Sequence, residues 1–115
     1  MINVEPFVDC CHLLDNRERL MAHTAENGYL FFRNLLPEEA VLDLRREVLG
    51  VVSNHNLLAH GTDPDEAIRR EGVLLSEGEE TPAYRALYND ILRLRSLHAF
   101  PHHASIVSVL ETLFD

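Results

Sequence analysis

A run of four large apolar residues, Tyr29 to Phe32, most constrains how this chain can fold. The run is too short for a helix, and aromatic residues of this kind favour a β-strand. Its residues are apolar at consecutive positions, which predicts burial on both faces. A strand needs neighbours for its main-chain N–H and C=O groups. We therefore predict a strand at residues 29–33 that pairs with another strand.

Four helices are predicted around this strand. Asp15 and Glu18 resemble a capping box that opens the first helix, which Gly28 ends. Pro37 suits the first turn of the second helix, and Thr81 with Pro82 opens the third. Apolar residues recur at three- and four-residue steps along one face of the last three helices. These faces comprise Val41, Leu44, Val48 and Val51, then Tyr84, Leu87, Ile91, Leu94 and His98, and finally Ile106, Val109, Leu110 and Leu113.

The predicted fold class is mainly α, with about four helices and one strand in a single domain covering residues 1–115. A stretch rich in glycine forms a long loop at 58–80, and loops of this length often cover a functional site. The unpaired strand leaves two interpretations open. Either the chain is a segment of a larger α+β protein whose sheet lies elsewhere, or residues 29–33 are absorbed into a helical bundle.

The formal charge of −9 and the pI near 5.1 argue against a nucleic-acid partner, because binding phosphates needs a clustered cationic surface. No apolar run is long enough to span a bilayer, and the N-terminus does not resemble a secretory signal. Cys10 and Cys11 are adjacent, so a disulfide between them would close almost no loop. We therefore expect reduced thiols, a cytoplasmic protein and no membrane partner.

Histidines and arginines supply the few candidate functional side chains. His98, His102 and His103 bracket Pro101 and suggest zinc, although a helix-end histidine with two exposed neighbours explains them better, since no carboxylate lies close in sequence. A second group lies around the start of the long loop and within it. Its histidines could contact a substrate and its arginines an anionic substrate, or all four could simply be exposed to solvent. This group comprises His55, His60, Arg69 and Arg70, the two arginines being expected to pair with Asp65 and Glu66.

The sequence resembles the N-terminal region of the phytanoyl-CoA dioxygenase family, in which a short helix and a strand precede an amphipathic helix. The later stretch "LRLRSLHAFPHHASIVSVLETLFD" is similar to the helix pair that precedes the family's catalytic barrel. The matching residues are Gly28, Tyr29, Leu30, Arg33, Leu35, Leu36, Pro37, Val41, Leu44, Arg45 and Val48, followed by Ile106, Leu110 and Phe114.

The resemblance implies a double-stranded β-helix, with N-terminal helices packed on its sheet, and Fe(II)- and 2-oxoglutarate-dependent hydroxylation. The family binds iron through a histidine–x–aspartate pair and a distant histidine. No histidine of this chain has an acidic residue two positions later, so no catalytic, cofactor-binding or metal-binding residue is predicted in it. We expect a structural portion that shapes the substrate entrance and is inactive by itself. Its partner would be the rest of the barrel, or a homodimer mate pairing with strand 29–33. The alternatives are a free-standing acidic helical interaction module and a degenerate, non-catalytic relative.

Overall fold

The computed structural model describes residues 2–73 and 81–114. Over these residues the protein is mainly helical, as the sequence predicts. The helices are α1 (Arg17–Asn27), α2 (Glu38–Asn54), α3 (Pro82–Leu92), α4 (Arg95–Ala99) and α5 (Ala104–Phe114). Single turns of 3₁₀ helix lie at Cys11–Leu13, Pro64–Glu66 and Phe100–His102. None of the described helices is both long and apolar enough to cross a membrane.

The chain divides into two compact units, and the first comprises Met1–Pro37 together with His102–Asp115. Helices α1 and α5 pack together in this unit. Its core is a cluster of three buried residues with partly buried apolar side chains around them. The buried residues are Cys10, Leu13 and Leu20, and the surrounding ones are Leu30, Phe32 and Leu113. The core therefore joins the N-terminal segment, α1, residues 29–33 and the end of α5.

The second unit is Glu38–Pro101, in which α2 packs against α3 and against the 3₁₀ turn at Pro64–Glu66. The first part of the predicted long loop folds back on itself through an antiparallel bridge between Leu58 and Arg69. Its remaining residues, 74–80, lie outside the described residues. Among the described residues of this unit, Leu87 is the buried apolar side chain.

The ends of α1 follow from local side-chain chemistry. Gly28 adopts a left-handed conformation (φ 75°) and its N–H donates to the carbonyl of Thr24, which ends α1 as predicted. The predicted capping box of Asp15 and Glu18 is wrong by one position. The side-chain oxygen of Asn16 instead accepts from the N–H of Arg19, and α1 begins after it.

The third predicted helix is interrupted rather than continuous. Helix α3 begins as expected, with Thr81 accepting from the N–H of Tyr84, but it ends at Leu92. Leu94 is extended (ψ 114°) and precedes α4, so the face predicted to run from α3 to His98 is broken. The His98 imidazole donates from Nε2 to the carbonyl of Leu92, which satisfies an acceptor at the end of α3.

The predicted strand at 29–33 is wrong: within residues 2–73 and 81–114 this segment forms no strand. The physical reason is the small number of main-chain hydrogen bonds that reach it. A ladder needs repeated main-chain pairs, and the N-terminal segment supplies one such bond, to the carbonyl of Phe31. Side chains supply the other bonds that hold the segment.

Candidate functional site

Residues 29–33 lie against the N-terminal segment of the same unit. The main-chain N–H of Cys10 donates to the carbonyl of Phe31 at 2.7 Å. Two residues earlier in each segment, the N–H of Val8 donates to the Tyr29 hydroxyl at 3.0 Å. The apolar segment therefore finds part of its hydrogen bonding within the chain, which the sequence pattern did not indicate.

The Asp9 carboxylate organises this contact. Its Oδ1 accepts from the main-chain N–H groups of Cys11 (3.0 Å) and Arg33 (3.2 Å), and the Cys11 thiol donates to the carbonyl of Arg33. Hydrogen bonding to the Cys11 side chain, then to these two N–H groups, holds the pKa of Asp9 below its ordinary value. The same interaction with Asp9 raises the pKa of the Cys11 thiol. Cys11 is therefore held as the neutral, less nucleophilic thiol.

Aromatic rings cover the outer side of the same contact. The Phe7 ring meets Tyr29 edge-on at 4.7 Å between centroids and lies 5.7 Å from Phe31. The Arg33 guanidinium lies over the Phe31 ring at 5.1 Å, within the range of a cation–π contact. Phe7 nevertheless remains 62% exposed. The first unit thus presents the Phe7 ring to solvent beside the half-buried Tyr29 and Phe31 rings.

A second exposed apolar surface lies on α5. Val109 is buried and Leu113 packs on the core cluster, as predicted. Leu110, predicted to share that buried face, is 47% exposed, and Phe114 is 81% exposed. Positions four apart lie on one side of a helix, so these two side chains extend a separate apolar face. Helix α5 is therefore apolar on the core side and on a side exposed to solvent.

In the second unit the structure pairs His55 with Asp90, residues separated by 35 positions. Their Nε2 and Oδ2 atoms are 2.8 Å apart, and the other oxygen of Asp90 is 3.4 Å from the Arg93 guanidinium. His55 lies just after α2 and Asp90 lies in α3, so the pair ties these helices together. No sequence signal links residues so far apart.

The remaining loop residues make local contacts. His60 lines a small depression of about 200 Å³ together with polar residues that include Ser53 and Thr62. Asp65 does not pair with Arg69 or Arg70 as expected; its carboxylate lies 3.4 Å from the Arg46 guanidinium. The reason is that α2 packs against the Pro64–Glu66 turn, which brings an α2 arginine close to Asp65.

The predicted histidine group is divided between the two units. His98 belongs to the second unit and caps α3, whereas His102 and His103 belong to the first. The Nδ1 atom of His103 accepts from the N–H of Ser105 at 3.1 Å, so His103 caps the start of α5. In the described part of the chain no three histidine, cysteine or acidic side chains are grouped to hold a metal ion. These residues therefore do not fit the iron site that the family resemblance implies.

Comparison with protein-family models, with curated proteins and with solved structures found no match to this chain.

Proposed function

We propose that this chain is a helical structural portion that buries its exposed apolar surfaces against another protein body. The observation that carries the proposal is the imbalance between buried and exposed side chains. Five apolar residues are buried among the described ones, while twelve large apolar side chains are exposed. Exposed apolar side chains that lie together, as Leu110 and Phe114 do on α5, are characteristic of protein–protein interaction sites.

The buried apolar residues are unevenly distributed between the two units. Four of the buried residues, Cys10, Leu13, Leu20 and Val109, belong to the first unit. In the second unit α2 has no buried residue, and Val41, predicted to face the core, is 42% exposed. An amphipathic helix is stabilised mainly by burying its apolar face, so α2 gains stability when a partner covers that face.

The specific form of the proposal is the N-terminal portion of a phytanoyl-CoA dioxygenase-like Fe(II)/2-oxoglutarate-dependent oxygenase. Its support is the resemblance of residues 28–48 and of the segment ending in α5. In this form the helices buttress the catalytic barrel, the 58–80 loop shapes the substrate entrance, and the protein is cytoplasmic. Iron and 2-oxoglutarate would be bound by residues outside this chain.

A second candidate is a free-standing acidic helical module that acts in protein interaction, and a degenerate, non-catalytic relative of the family is a further alternative. One observation favours it. The segment at 29–33 receives hydrogen bonds from Cys10 and Asp9, so it does not depend on an external sheet for all of its partners.

Solution measurements on the chain distinguish the two candidates. The structural portion is expected to bind a dye specific for exposed apolar surface and to unfold with low cooperativity. The free-standing module is expected to unfold cooperatively with little dye binding, as a monomer or a discrete dimer. Sizing by light scattering, thermal circular dichroism and dye fluorescence give the three readouts. A cooperative monomer without dye binding contradicts the docking proposal.

A turnover assay tests the absence of catalysis separately. The chain is incubated with Fe(II), 2-oxoglutarate and ascorbate, and succinate is measured. We expect no succinate above a metal-free control, because no histidine of the chain is followed by an acidic residue two positions later. Metal-dependent succinate formation contradicts the assignment of a purely structural role.

A further inference from the structure

The segment at 29–33 has two main-chain edges, and the N-terminal segment bonds to one of them. Its hydrogen bonds reach the carbonyl of Phe31 and both the N–H and the carbonyl of Arg33. Bonds to alternate residues are the pattern of one strand edge, since the main-chain groups of the residues between them point the other way. Leu30 and Phe32 therefore define the opposite edge.

That opposite edge has no main-chain partner in the described part of the chain. Neither the N–H nor the carbonyl of Leu30 or Phe32 makes a hydrogen bond to any residue within 2–73 and 81–114. Both residues are half-buried, where leaving polar main-chain groups unpaired costs free energy. Their side chains pack on the core cluster, which holds the edge in place.

We propose that the main-chain edge at Leu30 and Phe32 binds an extended strand of another polypeptide. Donors and acceptors repeated at alternate residues match an extended backbone, whereas a helix has already used these groups internally. The strand would carry β-branched or aromatic residues, because they pair well beside aromatic neighbours such as Tyr29 and Phe31. This inference rests on the proposed docking function and identifies the kind of partner.

Charge disfavours a second copy of the chain as the occupant. Each chain carries a formal charge of −9, so two copies repel at low ionic strength. A strand that belongs to a neutral or basic protein avoids this repulsion.

Amide-resolved hydrogen exchange on the full chain tests whether the edge is free. We expect the amides of Leu30 and Phe32 to exchange at least about tenfold faster than those of Cys10 and Arg33, which are hydrogen-bonded. Equal protection of all four amides overturns the proposal. Protection of Leu30 and Phe32 that rises with protein concentration assigns the edge to a second copy and also overturns it.

A peptide probe tests the occupant. An end-blocked peptide of alternating threonine and valine is titrated into the labelled full chain, and a matched peptide N-methylated at every second residue is the control. We expect chemical-shift changes at Leu30 and Phe32 with the first peptide only. Equal effects of both peptides, or no effect of either, overturn the proposal. Dye binding and cooperativity, which test the proposed function, are read independently of this edge.

Discussion

At the scale of single residues, Asp9 makes a pH-dependent contribution to stability. Its pKa lies below the ordinary value of 3.8, so the carboxylate stabilises the folded chain above that pH. This contribution is lost as the pH falls through the lower pKa of the folded state. We expect Asp9→Asn to lower the melting temperature at pH 7, by an amount that becomes smaller at pH 2. Thermal circular dichroism at both pH values measures the difference.

The control for this experiment is Glu5→Gln, which removes an exposed carboxylate without a hydrogen-bond partner in the described residues. It should leave the melting temperature nearly unchanged at pH 7 and at pH 2. An Asp9→Asn variant that is equally destabilised at both pH values would show that shape, rather than charge, accounts for the contribution of Asp9.

The reactivity of Cys11 follows from the same contact. Its raised pKa leaves less thiolate at a given pH, so alkylation by iodoacetamide at pH 8 should be slower than for free cysteine. Asp9→Asn removes the carboxylate that raises the pKa and should therefore speed the reaction. Cys10 is fully buried, so Cys11→Ser should abolish most of the labelling. An unchanged rate in Asp9→Asn contradicts the role of the carboxylate.

At the scale of the elements, the start of α1 gives a direct test of the corrected cap. Asn16→Ala removes the side-chain oxygen that accepts from Arg19 and should cost about 1 kcal/mol. Asp15→Ala, one position earlier, should change the free energy of unfolding by less than about 0.5 kcal/mol. Urea unfolding of the two variants measures both values. A larger loss for Asp15→Ala would restore the capping box that the sequence suggests.

The sequence predicts the start or end of a helix when the residues that cause it lie within one turn of it. Gly28 and Thr81 act within one turn, so the helix end and start that they define were predictable. The break after Leu92 was not predictable, because no glycine or proline lies there. His98 in the next helix donates to the carbonyl of Leu92. The conformation of residues 29–33 and their contact with Asp9 depend on residues more than twenty positions apart, which no local pattern can specify.

At the scale of the whole molecule, few apolar side chains of the described residues are buried and many are exposed. The first unit forms a core from segments distant in sequence, so α1, α5 and the N-terminal segment depend on one another. The second unit relies on α2–α3 packing and on polar links such as His55 with Asp90. Partly exposed pairs of this kind contribute about 1 kcal/mol or less, so they fix the positions of the helices but do not replace a buried apolar core.

Substitutions at two leucines, Leu20 and Leu110, distinguish the core from the proposed docking surface. Leu20→Ala empties a fully buried position and should lower the free energy of unfolding of the first unit by about 2–5 kcal/mol. Leu110→Ala trims a half-exposed side chain and should cost about 1 kcal/mol or less while reducing dye binding. Denaturant unfolding and dye fluorescence of both variants give the comparison. Equal loss of stability in the two variants would place Leu110 in the core and remove α5 from the docking surface.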